Sequence, residues 1–434
     1  MSGATATVRV DALVFGGQGI ATLPSGKRVF AYNALPGELV RIEIQRRYAS
    51  YEVGRVVQVL EPSPDRIEPA EPHFLSCSPW QVLRYAAENT WKQRIAHQLL
   101  RFGTRLELPE LPFVSPAEPF RYRNKMEFGL TGQDGPELLL FERGGRSRIG
   151  VTGCLLAHPV VDETVRRVLE ALHAEGVPAR ALASVRVRAS SLGQSLVELT
   201  VTDPGFPRLP ALLQAADGVA VLLAGSPPLR PPRLLHGAGC RQIEERLLGR
   251  TFRLGLRSFF QIHVAAFQQV LECMRSLLAG EKHVVDLYAG VGAIGLSLDA
   301  PRLTLVECDR EAAQLCEVNR KLTGRTDAEV VASEAEAALH HLHPGAAVVL
   351  DPPRGGLHRR VVCGILDRRP RRLLYLSCNP STQARDVARL LSGYRLESVY
   401  GFNFFPRTPH IETLVEMTRQ DLPATPVSGS LGPR

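Results

Sequence analysis

Residues 283–295 read His-Val-Val-Asp-Leu-Tyr-Ala-Gly-Val-Gly-Ala-Ile-Gly, an apolar run that breaks into a glycine-rich turn. A short apolar run without alternation reads as a strand buried on both faces, and such strands belong to parallel sheets covered by helices. The rest of the C-terminal part repeats the theme. Strands are predicted at His283–Leu287, Leu303–Glu307, Ala346–Leu350, Arg372–Leu376 and Arg395–Tyr400, with helices between them. A helix is also predicted directly after the glycine turn.

Gly290, Gly292 and Gly295 match G-x-G-x-x-G, and Glu307 ends the next predicted strand. The glycines admit a ligand against the backbone, and the acid can accept both hydroxyls of a ribose. This fits an adenosine-containing cofactor. A dinucleotide, S-adenosylmethionine and a ligand-free turn are the three readings. In dinucleotide sites the strand enters the first glycine directly and a pyrophosphate sits on the helix N-terminus. Here Asp286 stands four positions before Gly290. An acid there repels a phosphate and suits a sulfonium or an amino-acid end, which favours S-adenosylmethionine.

Upstream the pattern differs. Val8–Val10, Arg28–Tyr32, Glu38–Gln45 and Glu52–Leu60 read as short strands between Gly, Pro and Asn breaks. That spacing predicts a small OB-like β-barrel over residues 1–61. Pro62, Pro64, Pro69 and Pro72 form a hinge, and a helix is predicted over Trp80–Phe102 that can pack on the C-terminal domain. Residues 62–249 therefore read as hinge plus a mixed α/β central domain, 250–420 as the parallel-sheet domain, and 421–434 as a flexible tail. The fold class is α/β: a Rossmann-like domain with a small N-terminal barrel and a mixed central domain.

The chain has 434 residues, of which 44% are hydrophobic and 22% charged, a composition that excludes a disordered protein. Apolar runs such as Val219–Ala224 are far too short to cross a membrane. No apolar leader segment is visible beside Arg9 and Asp11, so a cytoplasmic location is expected. The net charge of +8 favours an anionic partner, of which nucleic acid is the usual one. Eight cysteines are too few for a disulfide scaffold, and no C-x-x-C pair occurs to suggest a standard zinc site.

Three later segments carry chemistry-bearing residues. Asp351-Pro-Pro-Arg-Gly-Gly356 follows a strand, and its successive prolines make a rigid turn able to hold a planar ring or a carboxylate. Cys378, in Leu-Ser-Cys-Asn-Pro, falls at the carboxyl end of the next strand, the rim where open α/β sheets bind ligands. A thiol there serves as a nucleophile once its pKa is lowered. Finally, Glu412 enters an apolar strand after Phe405-Pro-Arg-Thr-Pro-His410, a position costly for a carboxylate without work or a partner.

Taken together these segments resemble the RumA/TrmA family of RNA (uracil-5-)-methyltransferases over nearly the whole chain. The N-terminal segments Gly17-Gln-Gly-Ile-Ala and Leu35-Pro-Gly-Glu38 look like a TRAM domain, Tyr122-Arg-Asn-Lys-Met-Glu-Phe128 like the central-domain signature, and Ser258-Phe-Phe-Gln-Ile-His263 like the entry to the methyltransferase domain. Asp286-Leu-Tyr-Ala-Gly-Val-Gly, Asp351-Pro-Pro-Arg, Ser377-Cys-Asn-Pro and Phe405-Pro-x-Thr-x-His-x-Glu412 follow in family order. The resemblance implies S-adenosylmethionine contacts from Gln261, Tyr288, Gly290, Gly292, Glu307, Glu334 and Asp351. It makes Cys378 the nucleophile and Glu412 the base. It implies methylation of uridine C5 in RNA, with 23S rRNA expected on account of the TRAM-like barrel, in a single-stranded or loop region with the uridine flipped out. No membrane partner is expected, and the protein is expected to be a monomer.

The chain departs from the family in one region. Many barrel-bearing members hold a [4Fe–4S] cluster on a C-x5-C-x2-C…C pattern. Here Glu71 and Trp80 stand in the flanking positions, and only Cys77 and Cys154 remain. Two thiolates are too few for that cluster, so none is expected, no metal is assigned, and Trp80 is expected to fill the volume with apolar packing. Ala293 replaces an often polar residue beside the cofactor. Rival readings are a tRNA m5U enzyme, an RNA cytosine-5 methyltransferase, a dinucleotide oxidoreductase and a degenerate RNA-binding factor. The cytosine reading lacks a second Cys near Asp351, the oxidoreductase leaves Cys378 idle, and the degenerate factor predicts loss of Cys378 or Glu412.

Overall fold

The computed structural model describes residues 4–133, 135–142, 148–225 and 231–423. Five strands, β1 (Thr5–Leu13), β2 (Gly19–Thr22), β3 (Arg28–Tyr32), β4 (Leu39–Arg47) and β5 (Tyr51–Glu61), close a barrel in the order β1-β2-β3-β5-β4. Residue alternation builds it. Val29, Ala31, Val40 and Ile42 are buried inside, while Arg28 and Arg41 point to water. Gly17 is where the barrel meets the rest of the chain. Its φ is +91°, a Cβ there would stand 2.6 Å from Pro409, and its carbonyl accepts the Trp80 indole N–H at 3.3 Å.

The linker holds the short helix α1 (Phe74–Cys77) and the long helix α2 (Tyr85–Thr104). The sequence predicted a start at Trp80. The helix begins later because tertiary pairing claims that backbone: Trp80 N donates to Arg407 O at 3.0 Å, and Val82 O accepts from Ile67 N at 2.9 Å. Trp80 itself is buried among Leu13, Leu35, Ile95 and Ile411.

Strand β6 (Phe113–Val114) precedes the central domain. That domain holds β7 (Lys125–Thr131), β8 (Glu137–Phe141), β9 (Arg148–Val151), α3 (Pro159–Ala174), β10 (Leu182–Ala189), β11 (Ser195–Val201), α4 (Pro210–Leu213), β12 (Gly218–Leu223) and β13 (Arg233–Gly239). Its strands form one sheet in the order β13-β12-β11-β10-β7-β8-β9. Helix α3 brings the apolar stripe Val161, Val165, Val168 and Leu172 to the core shared with it.

The hairpin β14 (Gln242–Leu247) and β15 (Arg250–Gly255) straddles the boundary expected at residue 250. Its Ile243, Leu247, Phe252 and Leu254 share a core with α5 (Val264–Leu277) and the C-terminal sheet, so by packing that body starts at Gln242. The remaining elements are β16 (His283–Leu287), β17 (Arg302–Glu307), α6 (Arg310–Leu322), β18 (Ala328–Ala332), β19 (Ala347–Leu350), α7 (Arg359–Arg368), β20 (Arg372–Ser377), α8 (Pro380–Leu390), β21 (Tyr394–Phe402) and β22 (Glu412–Arg419). The sheet order is β18-β17-β16-β19-β20-β22-β21-β6. Strands β16 to β20 run parallel, whereas β22 is antiparallel to both its neighbours. Helix α2 lies on α8 so closely that a Cβ on Gly103 would stand 2.5 Å from that of Ala384.

The helix predicted after the glycine turn is absent. Residues 288–300 form only a single 3-10 turn at Gly295–Ser297. Tyr288, Gly290 and Gly292 take positive φ within the turn, and Leu298 is already extended, with φ −81° and ψ 160°, so the turn cannot continue as a helix. Of the tail expected at 421–434, residues 424–434 lie outside the described residues; Asp421 pairs with Arg419 at 2.6 Å. No helix among the described residues is long and apolar enough to cross a membrane.

Candidate active site

Strand register assembles the site. Leu287 pairs with Val306 on one side and Leu350 on the other, and Leu350 pairs with Tyr375. The next residues along these parallel strands, Tyr288, Glu307 and Asp351, therefore share the carboxyl rim of the sheet, and Cys378 follows the end of β20 there. The antiparallel pair Ser377–Thr413 adds the last member. Glu412 immediately precedes Thr413, so it stands opposite the end of β20 from which Cys378 emerges. Glu334 lies two residues past β18, exposed on the same side of the sheet.

On the cofactor side, the Glu307 carboxylate accepts Gly290 N at 2.8 Å and Asp309 N at 2.7 Å, one on each oxygen. Each oxygen keeps a lone pair for a hydroxyl. A Cβ at Gly290 would meet nothing within 4 Å, so open space lies against that backbone. Tyr288 holds φ +72° without being glycine, a strained conformation that marks a constrained position. Gly292 and Gly295 are fixed by packing: a Cβ would stand 2.8 Å from Cys316 Sγ in the first and 2.2 Å from Leu305 in the second.

Asp286 sits in β16, beneath the glycine turn. It is fully buried, and its Oδ2 accepts Gly295 N at 2.9 Å. Burial above all pushes its pKa up to about 8. It ties strand to turn. Without a helix N-terminus after the glycines, a pyrophosphate has no place to sit, which removes the main support for a dinucleotide.

Gln261 comes from the segment before α5 and is buried; its carbonyl accepts Asn124 Nδ2 at 3.2 Å. Among the described residues, no hydrogen bond joins the Gln261 side chain to the rim.

Cys378 and Glu412 feel nearby acids and the Arg354 guanidinium. Burial first, and then the Glu412 carboxyl, push the Cys378 thiol up to about 11, while the charge and hydrogen bond of Arg354 oppose the rise. Burial and then Asp351 raise Glu412 well above an ordinary carboxyl, again opposed by Arg354. Asp351 is raised to about 7 by burial. Sequence reasoning did not single out Arg354, although it follows the two prolines of the Asp351 motif. Its carbonyl accepts Asn379 Nδ2 at 3.0 Å and Thr382 Oγ1 at 3.1 Å, and its guanidinium lies 3.3 Å from His410 Nδ1.

Two further groups missed in the sequence hold the Glu412 loop. Lys92 and Glu88 of α2 are fully buried and paired at 2.9 Å. Lys92 Nζ donates to Asn403 Oδ1 at 2.6 Å and Phe405 O at 3.0 Å, while Glu88 accepts Arg407 N at 2.9 Å. The i,i+4 Glu–Lys spacing was visible, but such a pair is usually a solvated face. The Tyr122 motif also reaches this loop, since Tyr122 Oη donates to Pro406 O at 2.9 Å.

A second cluster lies in the linker. Cys77 and Cys154, expected as remnants of a cluster pattern, are 3.3 Å apart at Sγ, with Glu71 and His73 beside them. Sequence reasoning missed His73.

Residues 338–420 match the family described as tRNA (Uracil-5-)-methyltransferase, and 261–362 match one described as Conserved hypothetical protein 95. An uncharacterized RNA methyltransferase of Nitratidesulfovibrio vulgaris is 30% identical, with 98% of each chain covered. Another from Thermotoga maritima is also 30% identical, covering 95% of this chain and 99% of its own. The crystal structure of Pyrococcus abyssi tRNA (uracil-54, C5)-methyltransferase in complex with S-adenosyl-L-homocysteine superposes with a TM-score of 0.76 at 22% identity, covering 95% of this chain and all of the other.

Proposed function

Because this chain belongs to the RNA methyltransferase family, we propose that it methylates C5 of a uridine in RNA, with Cys378 as nucleophile and Glu412 as base. The observation that carries the reading is the β20–β22 register, which sets those two residues together on the rim that bears Tyr288, Glu307 and Asp351. S-adenosylmethionine, when bound, supplies an electrophilic methyl group. Glu307, Tyr288 and the Gly290 backbone fit its adenosine part: a carboxylate with free lone pairs, a constrained aromatic and open space against a glycine.

Uracil C5 is a weak nucleophile. Addition of the Cys378 thiolate to C6 makes C5 an enolate carbon able to take the methyl group. Removal of the C5 proton by Glu412 then expels the thiolate and restores the ring. Electrostatics order these steps. The Glu412 carboxylate disfavours a negative charge on Cys378, and Arg354 favours the ionised form of either, so Arg354 serves one anion at a time. Forming the C–S bond neutralises the sulfur, which frees Arg354 to favour ionised Glu412 when a base is needed.

The proposed substrate is 23S rRNA in a loop, acted on by a cytoplasmic monomer. A tRNA is the second reading. Coverage of 95% of this chain by the archaeal tRNA enzyme leaves too few residues unmatched to exclude the barrel, so a barrel does not by itself select rRNA. The test is incubation with methyl-labelled S-adenosylmethionine and RNA lacking 5-methyluridine, followed by separation of 23S rRNA from tRNA. Label at uridine C5 that is absent with Cys378→Ala supports the reaction. The fraction carrying it chooses the substrate, and label in neither RNA overturns the reading.

A further inference from the structure

The linker cluster lies away from the chemistry and uses none of it. One ligand-capable atom from each of Glu71, His73, Cys77 and Cys154 lies within 4.8 Å of all the others. Glu71, His73, Cys77 and Cys154 are all at least nine-tenths buried. Four such groups without a purpose would be a heavy desolvation burden for the seven residues from Glu71 to Cys77 and one distant turn.

The cubane cluster suggested by the family pattern does not fit. It requires four thiolates or their equivalents spread around a body of four irons. Here two of the donors are thiols, and all four donor atoms lie within 4.8 Å of one another. That crowding matches one ion instead. Two sulfurs on one zinc, each at about 2.3 Å, stand somewhat under 4 Å apart. The observed 3.3 Å between the Cys77 and Cys154 sulfurs needs only a small opening.

A second, independent observation points the same way. His73 Nε2 is buried and makes no hydrogen bond, although Glu71 Oε1 lies 3.2 Å away. That nitrogen faces the Glu71 carboxylate as an ion pair, and a metal would take its lone pair in place of the proton that pairing needs. Around it the outer contacts are in place. Glu71 is oriented by Leu155 N at 2.6 Å and Gln81 Nε2 at 2.8 Å, and Gln81 is in turn held by Ser78 Oγ at 2.6 Å. Such outer hydrogen bonds are what fix ligating carboxylates. The ion pair also balances: two thiolates and one carboxylate on a divalent ion leave one negative charge, and Arg123 reaches the Cys77 carbonyl at 3.5 Å.

We propose that Glu71, His73, Cys77 and Cys154 bind a single zinc ion that fastens the linker between barrel and α2 to the turn before α3. Soft sulfur with imidazole and carboxylate is a zinc donor set, and four protein ligands leave no open position, so the ion is structural. The staple has leverage. Trp80, three residues past Cys77, packs on the barrel, and Arg123 lies next to Tyr122, which contacts the Glu412 loop. The ion would therefore lock barrel, central domain and catalytic loop at one junction.

The test uses the full chain, purified without a metal-affinity step. Elemental analysis with a sulfide assay is expected to find about one zinc per chain and no sulfide. Cobalt(II) in place of zinc is expected to give the intense visible bands of a tetrahedral site together with a thiolate charge-transfer band. Paired Cys77→Ser and Cys154→Ser substitution should lower the zinc content at least tenfold, and His73→Ala should change the cobalt bands. If the variants fail to fold, the wild-type cobalt titration decides alone. Iron with stoichiometric sulfide would overturn the proposal in favour of a cluster on mixed ligands. A metal-free protein that gives no cobalt bands after reduction, or one whose peptide map shows a Cys77–Cys154 disulfide under reducing expression, would overturn it too.

Discussion

Ser377 of β20 pairs with Thr413 of β22 across an antiparallel ladder, and this single register brings Cys378 and Glu412 to one place on the rim. The two residues are 34 positions apart, and nothing local holds them together. Gln383 locks the pair from below. Its Nε2 donates to Tyr375 O at 2.7 Å and Thr413 O at 3.2 Å, and its Oε1 accepts Thr413 Oγ1 at 2.6 Å. A slip of one residue would turn Glu412 to the opposite face.

The division of labour between those two residues separates their variants. Cys378→Ala should abolish both methylation and any covalent RNA complex. Glu412→Gln should lower turnover by about 10²–10⁴-fold yet let a denaturation-resistant RNA adduct accumulate, because addition precedes proton removal. Gel electrophoresis under denaturing conditions reads both. An adduct missing from the Glu412 variant would mean the carboxylate acts before the sulfur.

The thiol's reactivity should follow pH with a definite sign. Cys378 is pushed up to about 11, so the free protein holds it protonated at neutral pH. Its thiolate fraction should therefore climb about tenfold per pH unit between 7 and 9. Iodoacetamide labelling followed by peptide mapping isolates it from the exposed Cys240, Cys308 and Cys363. Arg354→Met removes the one group that opposes the shift and should slow labelling about tenfold, equivalent to one pKa unit or ~1.4 kcal/mol. A plateau below pH 8 would contradict the assigned environment.

Two glycines of the turn should answer differently to alanine. Gly290→Ala finds open space, so its cost is the left-handed backbone alone, about 1 kcal/mol. Its methyl group projects toward the proposed cofactor, so the S-adenosylmethionine Kd should rise at least tenfold while the melting temperature barely moves. Gly295→Ala drives a carbon to 2.2 Å from Leu305 and 2.9 Å from the Asp286 carboxylate. That overpacking should cost about 1–3 kcal/mol. Calorimetry and thermal melts distinguish the two; equal stability losses would remove Gly290 from the binding surface.

Glu88→Ala should be the most damaging change outside the rim. It strands Lys92, which is 0% exposed, and removes the acceptor of Arg407 N. Breaking a buried pair by one partner costs about 3–5 kcal/mol. Activity should fall with stability because the loop carrying Glu412 loses its anchor. Denaturant titration measures the loss, and a change under 1 kcal/mol would show the pair to be dispensable.

How much was legible from the sequence depended on the range of the forces involved. The strand that enters Gly290, the prolines after Asp351 and the strand that ends at Cys378 are written in neighbouring residues, because φ restriction and apolar runs act over a few positions. Four of the five barrel strands and the rim residues could be read in this way, whereas β2 (Gly19–Thr22) could not. The helix after the glycines could not. A strand and glycine turn of this kind lead into a helix, but Asp286 and the positive φ values at Tyr288 and Gly292 hold a different turn.

What the sequence by itself determined, then, is the order of strands and turns and the chemical identity of the groups at their ends. The tertiary structure alone decided which of those groups meet. Glu88 finds Arg407 across 319 residues and Cys77 finds Cys154 across 77. The same separation explains why His73 escaped notice: one imidazole in a proline-rich linker carries no pattern until a distant turn brings a second thiol to it. Such meetings depend on packing summed over the whole core, since loop closure costs little more for a long span than for a short one, so no local pattern need announce them.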